Sequence, residues 1–176
     1  IKLVKLGDIY VNDAFGTAHR AHASTTIVAQ FFEDKCAGYI MGNELAYANK
    51  VLEDPNRPFT AIVGGAKISD KIMIIEKLLD KVDNLIIGGG MSYTFIKAQG
   101  GAIGKSLCED NRKAYTLELI EKAKVKNVNL CLPLDNVIAD DFSNNAKRQI
   151  VKSGEIPYDW EGLDIGPQSI YAFENI

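Results

Sequence analysis

Pro58-Phe59-Thr60-Ala61-Ile62-Val63-Gly64-Gly65-Ala66-Lys67-Ile68-Ser69-Asp70-Lys71 changes its pattern halfway through. It opens as an apolar, β-prone run, and two glycines interrupt it. Beyond them Ile68, Ile72, Ile75 and Leu79 recur at steps of four, three and four, the period of an amphipathic helix. The reading is strand, tight turn, helix. Glycine at such a turn lets the backbone bend and lets a ligand approach with no side chain in the way. The helix N-terminus offers free N–H groups and positive partial charge to an anion. Lys67 and Lys71 are four apart, so a helix running from Ile68 would carry both on one face near that end. Two ammonium groups beside a glycine turn point to a phosphate site. A plain βα connection with two solvated lysines fits the same local pattern.

On the C-terminal side the alternation continues. Asn84-Leu85-Ile86-Ile87 reads as a second apolar strand, ends in Gly88-Gly89-Gly90, and gives way to a helix from Met91 to Ala98. After a glycine-rich loop, Arg112 to Lys126 is helical, with Ala114, Leu117, Ile120 and Ala123 on one side. Asn129 to Leu132 is a strand stopped by Pro133. Strands alternating with helices predict parallel βαβ units in an α/β layered sheet, and near-continuous apolar strands predict burial on both faces. Past Pro133 the pattern loosens. Val137-Ile138-Ala139 and Gln149-Ile150-Val151 read as short strands of a β excursion, Gly154 to Pro167 mostly as loop, and Gln168 to Asn175 as the start of a helix.

On the N-terminal side, Asp8 to Asn12 reads as a short buried strand. Asp13 to Thr26 is too rich in polar and small residues for a core element, and it holds both histidines, His19 and His22. From Gly38 to Leu52 the pattern is helical, with Met41, Leu45, Ala48 and Leu52 at steps of four, three and four. Pro55 and Pro58 end that helix and set up the next strand. One helix followed by a proline-bounded break reads as a linker between domains.

Composition narrows the classes. The chain has 176 residues, 47% hydrophobic and 24% charged, ordinary values for a globular protein. A net charge of -3 argues against nucleic acid as the main partner, and no apolar run approaches a bilayer-spanning length. Cys36, Cys108 and Cys131 form no C-x-x-C, which fits reduced thiols in a cytosolic protein. The chain opens Ile1-Lys2-Leu3 without an initiator Met and closes in a helix-like segment, so both ends read as cut.

The candidate chemistry lies in loops. In an open parallel sheet, ligands bind outside the carboxyl ends of the strands, where Gly64-Gly65 and Gly88-Gly89-Gly90 both sit. Successive glycines leave a flat wall that could take an aromatic ring such as adenine; close strand–helix packing is the structural alternative. Neither run is a G-x-G-x-x-G fingerprint. Gly100 to Ser106 imitates a Walker A loop, but Gln99 stands where the first glycine is required, and the segment follows a helix rather than a strand. His19, Arg20 and His22 have no third metal ligand at a recognisable spacing. The cluster better suits an anionic substrate, with Arg20 offering a bidentate fork; surface histidines around a structural arginine are the alternative. Asp140-Asp141 reads as solvent-facing.

Four segments, taken together, resemble the phosphoglycerate kinase family. They are Leu6 to His22, Gly64 to Ile72, Ile86 to Met91, and Gly162 to Pro167, in the family's order and spacing and running almost from end to end of the chain. The resemblance implies reversible phosphoryl transfer between 1,3-bisphosphoglycerate and ADP, giving 3-phosphoglycerate and ATP with Mg2+, in a cytoplasmic enzyme that is monomeric at full length. It implies a three-layer Rossmann-like nucleotide lobe, here partial. The implied division is residues 1–37 as the end of a substrate-binding lobe, 38–54 as an interdomain helix and 55–176 as the first part of the nucleotide lobe. By the same match His19 and Arg20 would bind the phosphoglycerate, Gly65, Lys67 and Lys71 the nucleotide phosphates, and Gly89, Gly90 and Gly166 the adenine. Lys67 would also stabilise the phosphoryl group in transit. Ser92 stands where many members have Ala, and Gln168 where Glu is usual. Full members are roughly twice this length or more, with further substrate arginines and an acid-bearing glycine-rich loop outside this segment, so the chain alone is expected to be inactive. A Rossmann-like oxidoreductase lacks its fingerprint here. A non-catalytic nucleotide-binding module remains the alternative.

Overall fold

The computed structural model describes residues 2–53 and 55–176. The chain divides into two compact units, Ile1–Asn56 and Arg57–Ile176.

In the first unit, β1 (Tyr10–Asn12) pairs in parallel with β2 (Lys35–Ala37). β1 is only half-buried, contrary to the buried strand expected, because a two-stranded ribbon covers little of its faces. The polar stretch after it is not shapeless. It holds a 3-10 turn at Phe15–Thr17 and a π-turn at Ala23–Ile27. The Tyr10 hydroxyl ties this stretch to β1 by donating to the carbonyls of Ser24 (2.9 Å) and Thr25 (3.0 Å). Helix α1 (Tyr39–Glu53) follows. Its expected apolar stripe is mostly exposed, with Met41 alone buried. The start of α1 is fixed from a distance. The Gly38 carbonyl accepts the first helical bond, from Gly42 N–H (2.9 Å), so Gly38 is the N-cap. Having no side chain, it cannot satisfy the third helical N–H. Asp13 Oδ1 does so instead, accepting from Met41 N (2.9 Å).

The second unit is built on a parallel sheet of order β3 (Thr60–Val63), β4 (Asn84–Ile87), β6 (Asn129–Cys131). Thr60, Ala61, Ile62 and Val63 stand opposite Asn84, Leu85, Ile86 and Ile87, so the two strands end level. Helices α2 (Ile72–Leu78), α3 (Ser92–Ala98) and α4 (Lys113–Val125) complete the βα alternation. Ile68, Ile75 and Leu79 pack with Leu85, Ile87, Phe95 and Leu119 into one core. The expected two-sided burial holds for β4, where Leu85, Ile86 and Ile87 are all buried. It fails for β3, whose Ile62 is 75% exposed, because β3 is an edge of this sheet.

The β excursion is a second layer. β7 (Asp135–Ala139) is the centre of an antiparallel sheet of order β10-β7-β8, with β8 at Arg148–Lys152 and β10 at Glu161–Ile165. The short β5 (Ala102–Ile103) pairs in parallel with β9 (Glu155–Ile156). The stretch 154–167, expected to be mostly loop, is therefore half strand, at 155–156 and 161–165. Its sequence hid this because β10 is polar at Glu161 and Asp164 and breaks register between Gly162 and Asp164. Helix α5 (Pro167–Glu174) follows the Gly166 turn. The chain is α/β, and its second unit is a partial Rossmann-like lobe. Among the described residues no helix is long and apolar enough to cross a membrane.

Candidate functional site

The two glycine turns leave the sheet side by side. Gly88 N–H donates to the Val63 carbonyl (2.9 Å), extending the β3–β4 ladder by one step. Met91 N–H then donates to the Gly65 carbonyl (3.0 Å), clasping the second turn onto the first. Glycine is required for this contact. Gly89 has φ +65, and a Cβ there would stand 2.8 Å from both the nitrogen and the oxygen of Gly65. A Cβ on Gly90 would stand 3.0 Å from Leu107 Cδ1 and 3.2 Å from the Ala66 oxygen. The close-packing explanation of the glycines is thus correct as far as it goes. It coexists with the ligand reading, because the clasp leaves Gly89 and Gly90 on the wall of a cavity.

The lysines are placed differently from the helical expectation. Helix α2 begins at Ile72, so Lys67 lies in the turn and Lys71 is the N-cap, its carbonyl accepting from Ile75 N–H (2.9 Å). Lys71 folds back, its Cε 3.8 Å from where a Gly65 Cβ would be. Lys67 is exposed. Both cations stand by the same glycine turn, although not by helical spacing.

Glu109, which the sequence reading passed over, holds that turn. Its Oε2 accepts from Ser69 N–H (2.9 Å), and its own N–H donates to Thr94 Oγ1 (3.2 Å). Burial alone would raise its pKa. Hydrogen bonds from Ser69 and Ile68, and then the Lys67 charge, outweigh that and keep the carboxyl below its usual range. No local signal marks it, since Glu109 lies beyond the next βα unit from Ser69.

The adjoining cavity has a volume of about 320 Å3. It is lined by Gly89, Gly90, Tyr93, Leu107, Phe142 and the stretch 161–165. That is the size of a small ligand pocket, with glycine and aromatic walls. The Ser92 hydroxyl donates to the Gly89 carbonyl (2.7 Å), so the serine found where alanine is common braces the glycine wall. Gly166 does not line the cavity; the residue before it, Ile165, does. Gly166 is buried instead, where a side chain would overlap the carboxyl of Asp135, and its N–H donates to the Asp135 carbonyl (2.9 Å).

Asp135 then caps α5. Its Oδ1 accepts from Ser169 N–H (2.8 Å) and the Ser169 hydroxyl (2.6 Å), and its Oδ2 from Gln168 N–H (3.1 Å). Burial pushes its pKa up, but these donors outweigh it and hold the carboxyl below 3.8. The imitation Walker A segment serves packing as well. Ser106 is buried, and its Oγ accepts from Gly162 N–H (2.9 Å) at the cavity rim.

His19 and Arg20 belong to the first unit and are exposed. Their loop is ordered by its backbone. Arg20 N–H donates to the Thr17 carbonyl (3.0 Å), and the Arg20 carbonyl accepts from the Thr25 hydroxyl (2.7 Å). His22 is tied to the π-turn through its backbone, its N–H donating to Thr25 Oγ1 (3.2 Å) and its carbonyl accepting from Thr25 N–H (3.2 Å). Asp140 is likewise structural, its Oδ1 accepting from Lys147 N–H (2.9 Å) to close the β7–β8 hairpin. Among the described residues no group of three or more His, Cys, Asp or Glu could hold a metal ion.

Comparison with known proteins agrees with this geometry. A family model described as phosphoglycerate kinase matches residues 1–176. A phosphoglycerate kinase of Porphyromonas gingivalis is 53% identical over 99% of the chain and 42% of its own length. A cytosolic phosphoglycerate kinase of Nicotiana tabacum is 54% identical over 98% of the chain and 43% of its own length. The solved structure of the Coxiella burnetii phosphoglycerate kinase superposes with a TM-score of 0.84 at 44% identity, covering 99% of this chain and 45% of that one. The chain thus spans less than half the length of the relatives it matches. The glycine clasp and its two lysines lie within the matched region, and the chain belongs to the phosphoglycerate kinase family.

Proposed function

We propose that the chain is a segment of an enzyme that transfers a phosphoryl group reversibly between 1,3-bisphosphoglycerate and ADP, giving 3-phosphoglycerate and ATP. The observation that carries this reading is the pair of lysines beside clasped glycine turns at the carboxyl ends of β3 and β4, in a chain of this family. In the forward direction a β-phosphate oxygen of ADP attacks the phosphorus of the acyl phosphate. A P–O bond forms to ADP, and the P–O bond to the carboxylate oxygen breaks. The attacking and leaving oxygens are both already ionised, so no general base is needed. The protein's task is charge, alignment and exclusion of water.

In this reading Lys71 and the Gly65 turn anchor the nucleotide phosphates. Lys67 neutralises charge on the phosphoryl group as it passes, and its exposed, mobile-stemmed ammonium suits a group that must follow a moving charge. Gly89 and Gly90 face the adenine. Gly166 acts on the opposite wall through Ile165 and Asp135 rather than by direct contact. His19 and Arg20 bind the phosphoglycerate, residues 1–37 belonging to its lobe, 38–54 to the joining helix and 55–176 to the nucleotide lobe. Magnesium enters with the nucleotide, as the counter-ion of its phosphates. The enzyme works in the cytoplasm, and the full-length protein is a monomer.

The test is Lys67→Ala in the complete protein. Turnover should fall by about 10²–10³-fold, the usual loss when one charge-stabilising group is removed, while ADP affinity changes little. Near-normal turnover would take the transfer role away from Lys67. Calorimetry with ADP and with NAD separates this reading from a dinucleotide-binding one.

A further inference from the structure

Lys67 lies in a turn tied at both ends. On the strand side the Gly65 carbonyl is held by Met91 N–H, and on the helix side Lys71 N–H donates to the Ile68 carbonyl (2.8 Å). Between these ties the Ile68 side chain is buried, and Ile68 and Ser69 give hydrogen bonds to Glu109, Ser69 N–H at 2.9 Å. The Ile68 N–H belongs to the planar peptide that joins Lys67 to Ile68. A group that holds this N–H and the next one fixes the backbone torsion on the C-terminal side of Lys67, and with it the direction in which the lysine stem leaves the chain. Glu109 can do so because it is itself anchored. Its N–H donates to Thr94 Oγ1 (3.2 Å), and Thr94 is buried in α3. Burial raises the Glu109 pKa, but the hydrogen bonds from Ser69 and Ile68, and then the Lys67 charge, outweigh it. The group is therefore a carboxylate, whose oxygens only accept. Its charge is the feature that closure of a turn does not explain. Ser69 or Asp70 could close the turn with a side chain of its own, and a carboxylate beside a phosphate-binding turn repels phosphate.

We propose that Glu109 is a positioning residue for phosphoryl transfer: by holding the Ile68 and Ser69 N–H groups it aims Lys67 at the phosphoryl group in transit, without touching that group or the nucleotide. The inference rests on the transfer role given to Lys67 and adds the residue through which the fold enforces it. Lys67 is exposed, so its direction is set through the backbone rather than by packing around the side chain.

A double-mutant cycle in the complete protein tests this, with Glu109→Gln, Lys67→Ala and the two combined. Glu109→Gln keeps the shape but replaces one acceptor oxygen by an amino group that faces N–H donors. It should lower kcat about 10–10²-fold, the loss expected when a group at the reacting centre is misplaced by about 1 Å, while ADP affinity measured by calorimetry stays within about twofold. In the Lys67→Ala background the same substitution should change kcat by less than about twofold, because no ammonium is left to aim. Equal losses in the two backgrounds would overturn the proposal, since Glu109 would then act independently of Lys67. So would a kcat within about twofold of the parent in Glu109→Gln alone. A loss of ADP affinity as large as the loss of kcat would overturn it too, because that marks a turn that has simply come apart. Near-normal kcat in Lys67→Ala alone removes the transfer role of Lys67, and the positioning role falls with it. Should Glu109→Gln fail to fold, Thr94→Val frees the Glu109 main chain, leaves its charge in place, and enters the same cycle under the same criteria.

Discussion

Asp135 is a buried carboxylate held by N–H and O–H groups, and it reaches the candidate site through the turn it fixes. The Gly166 turn follows Ile165, a wall of the cavity, and α5 starts where Asp135 supplies its acceptors. Because the folded pKa lies below the ordinary 3.8, the stabilisation is fully present above that value and is lost as pH falls through the lowered one. Asp135→Ala leaves the Ser169 and Gln168 N–H groups without their partner. It should cost about 1–3 kcal/mol at neutral pH, read from urea unfolding. Asp135→Asn should flatten the acid limb of the stability curve, since the titrating group is gone. An unchanged acid limb would mean that some other carboxylate governs it. The sequence gives no hint of this cap, because Asp135 stands inside β7, far along the chain from the helix it serves. Lys67 and Lys71, by contrast, could be read directly, since chemistry and spacing lie in one segment. Their helical placement could not, because Ile68 keeps the helical period in a turn whose geometry is set by Glu109.

The same division runs through the elements. β4 was legible to the residue, since a strand buried on both faces is written as a continuous apolar run. The helices after β3, β4 and the loop at 99–112 were legible from their period, with ends shifted by only a few residues except at α2. β10 was not, because a polar, bulged strand is defined by its partner β7 rather than by its own sequence. The start of α1 lies between these cases. The helical pattern starts at Gly38 in the sequence, and in the structure Gly38 is an N-cap whose missing side chain is replaced by Asp13. A Cβ at Gly38 would overlap the Asp13 carboxyl, so Gly38→Ala must push Asp13 off Met41 N–H. Asp13→Ala removes the same bond directly. Each should lower stability by about 1 kcal/mol, and the double variant should lose little more than either alone, because both abolish one interaction. Thermal unfolding of the four proteins checks this, and strict additivity would show that Asp13 and Gly38 act separately.

The molecule as a whole presents two candidate binding regions, one on each compact unit, and phosphoryl transfer needs both ligands at once. The donor and acceptor oxygens must be held in line, and water must be kept from the acyl phosphate, or hydrolysis replaces transfer. In the proposed reading the nucleotide region has clasped turns, a bounded cavity and two cations by one glycine turn. The proposed substrate region has no such frame. His19 and Arg20 are exposed, and the bonds that order their loop come from its backbone and from Thr25. The relatives that share this segment are more than twice as long as the part it matches. Binding and turnover should therefore separate. The 176-residue chain should bind ADP in calorimetry, while a coupled assay with 1,3-bisphosphoglycerate and ADP should show no ATP formation above the uncatalysed rate. Turnover anywhere within the usual enzymic range of about 1–10³ s⁻¹ would mean that His19, Arg20 and the two lysines suffice for alignment and water exclusion. The division of labour between this segment and the rest of the family's fold would then have to be redrawn.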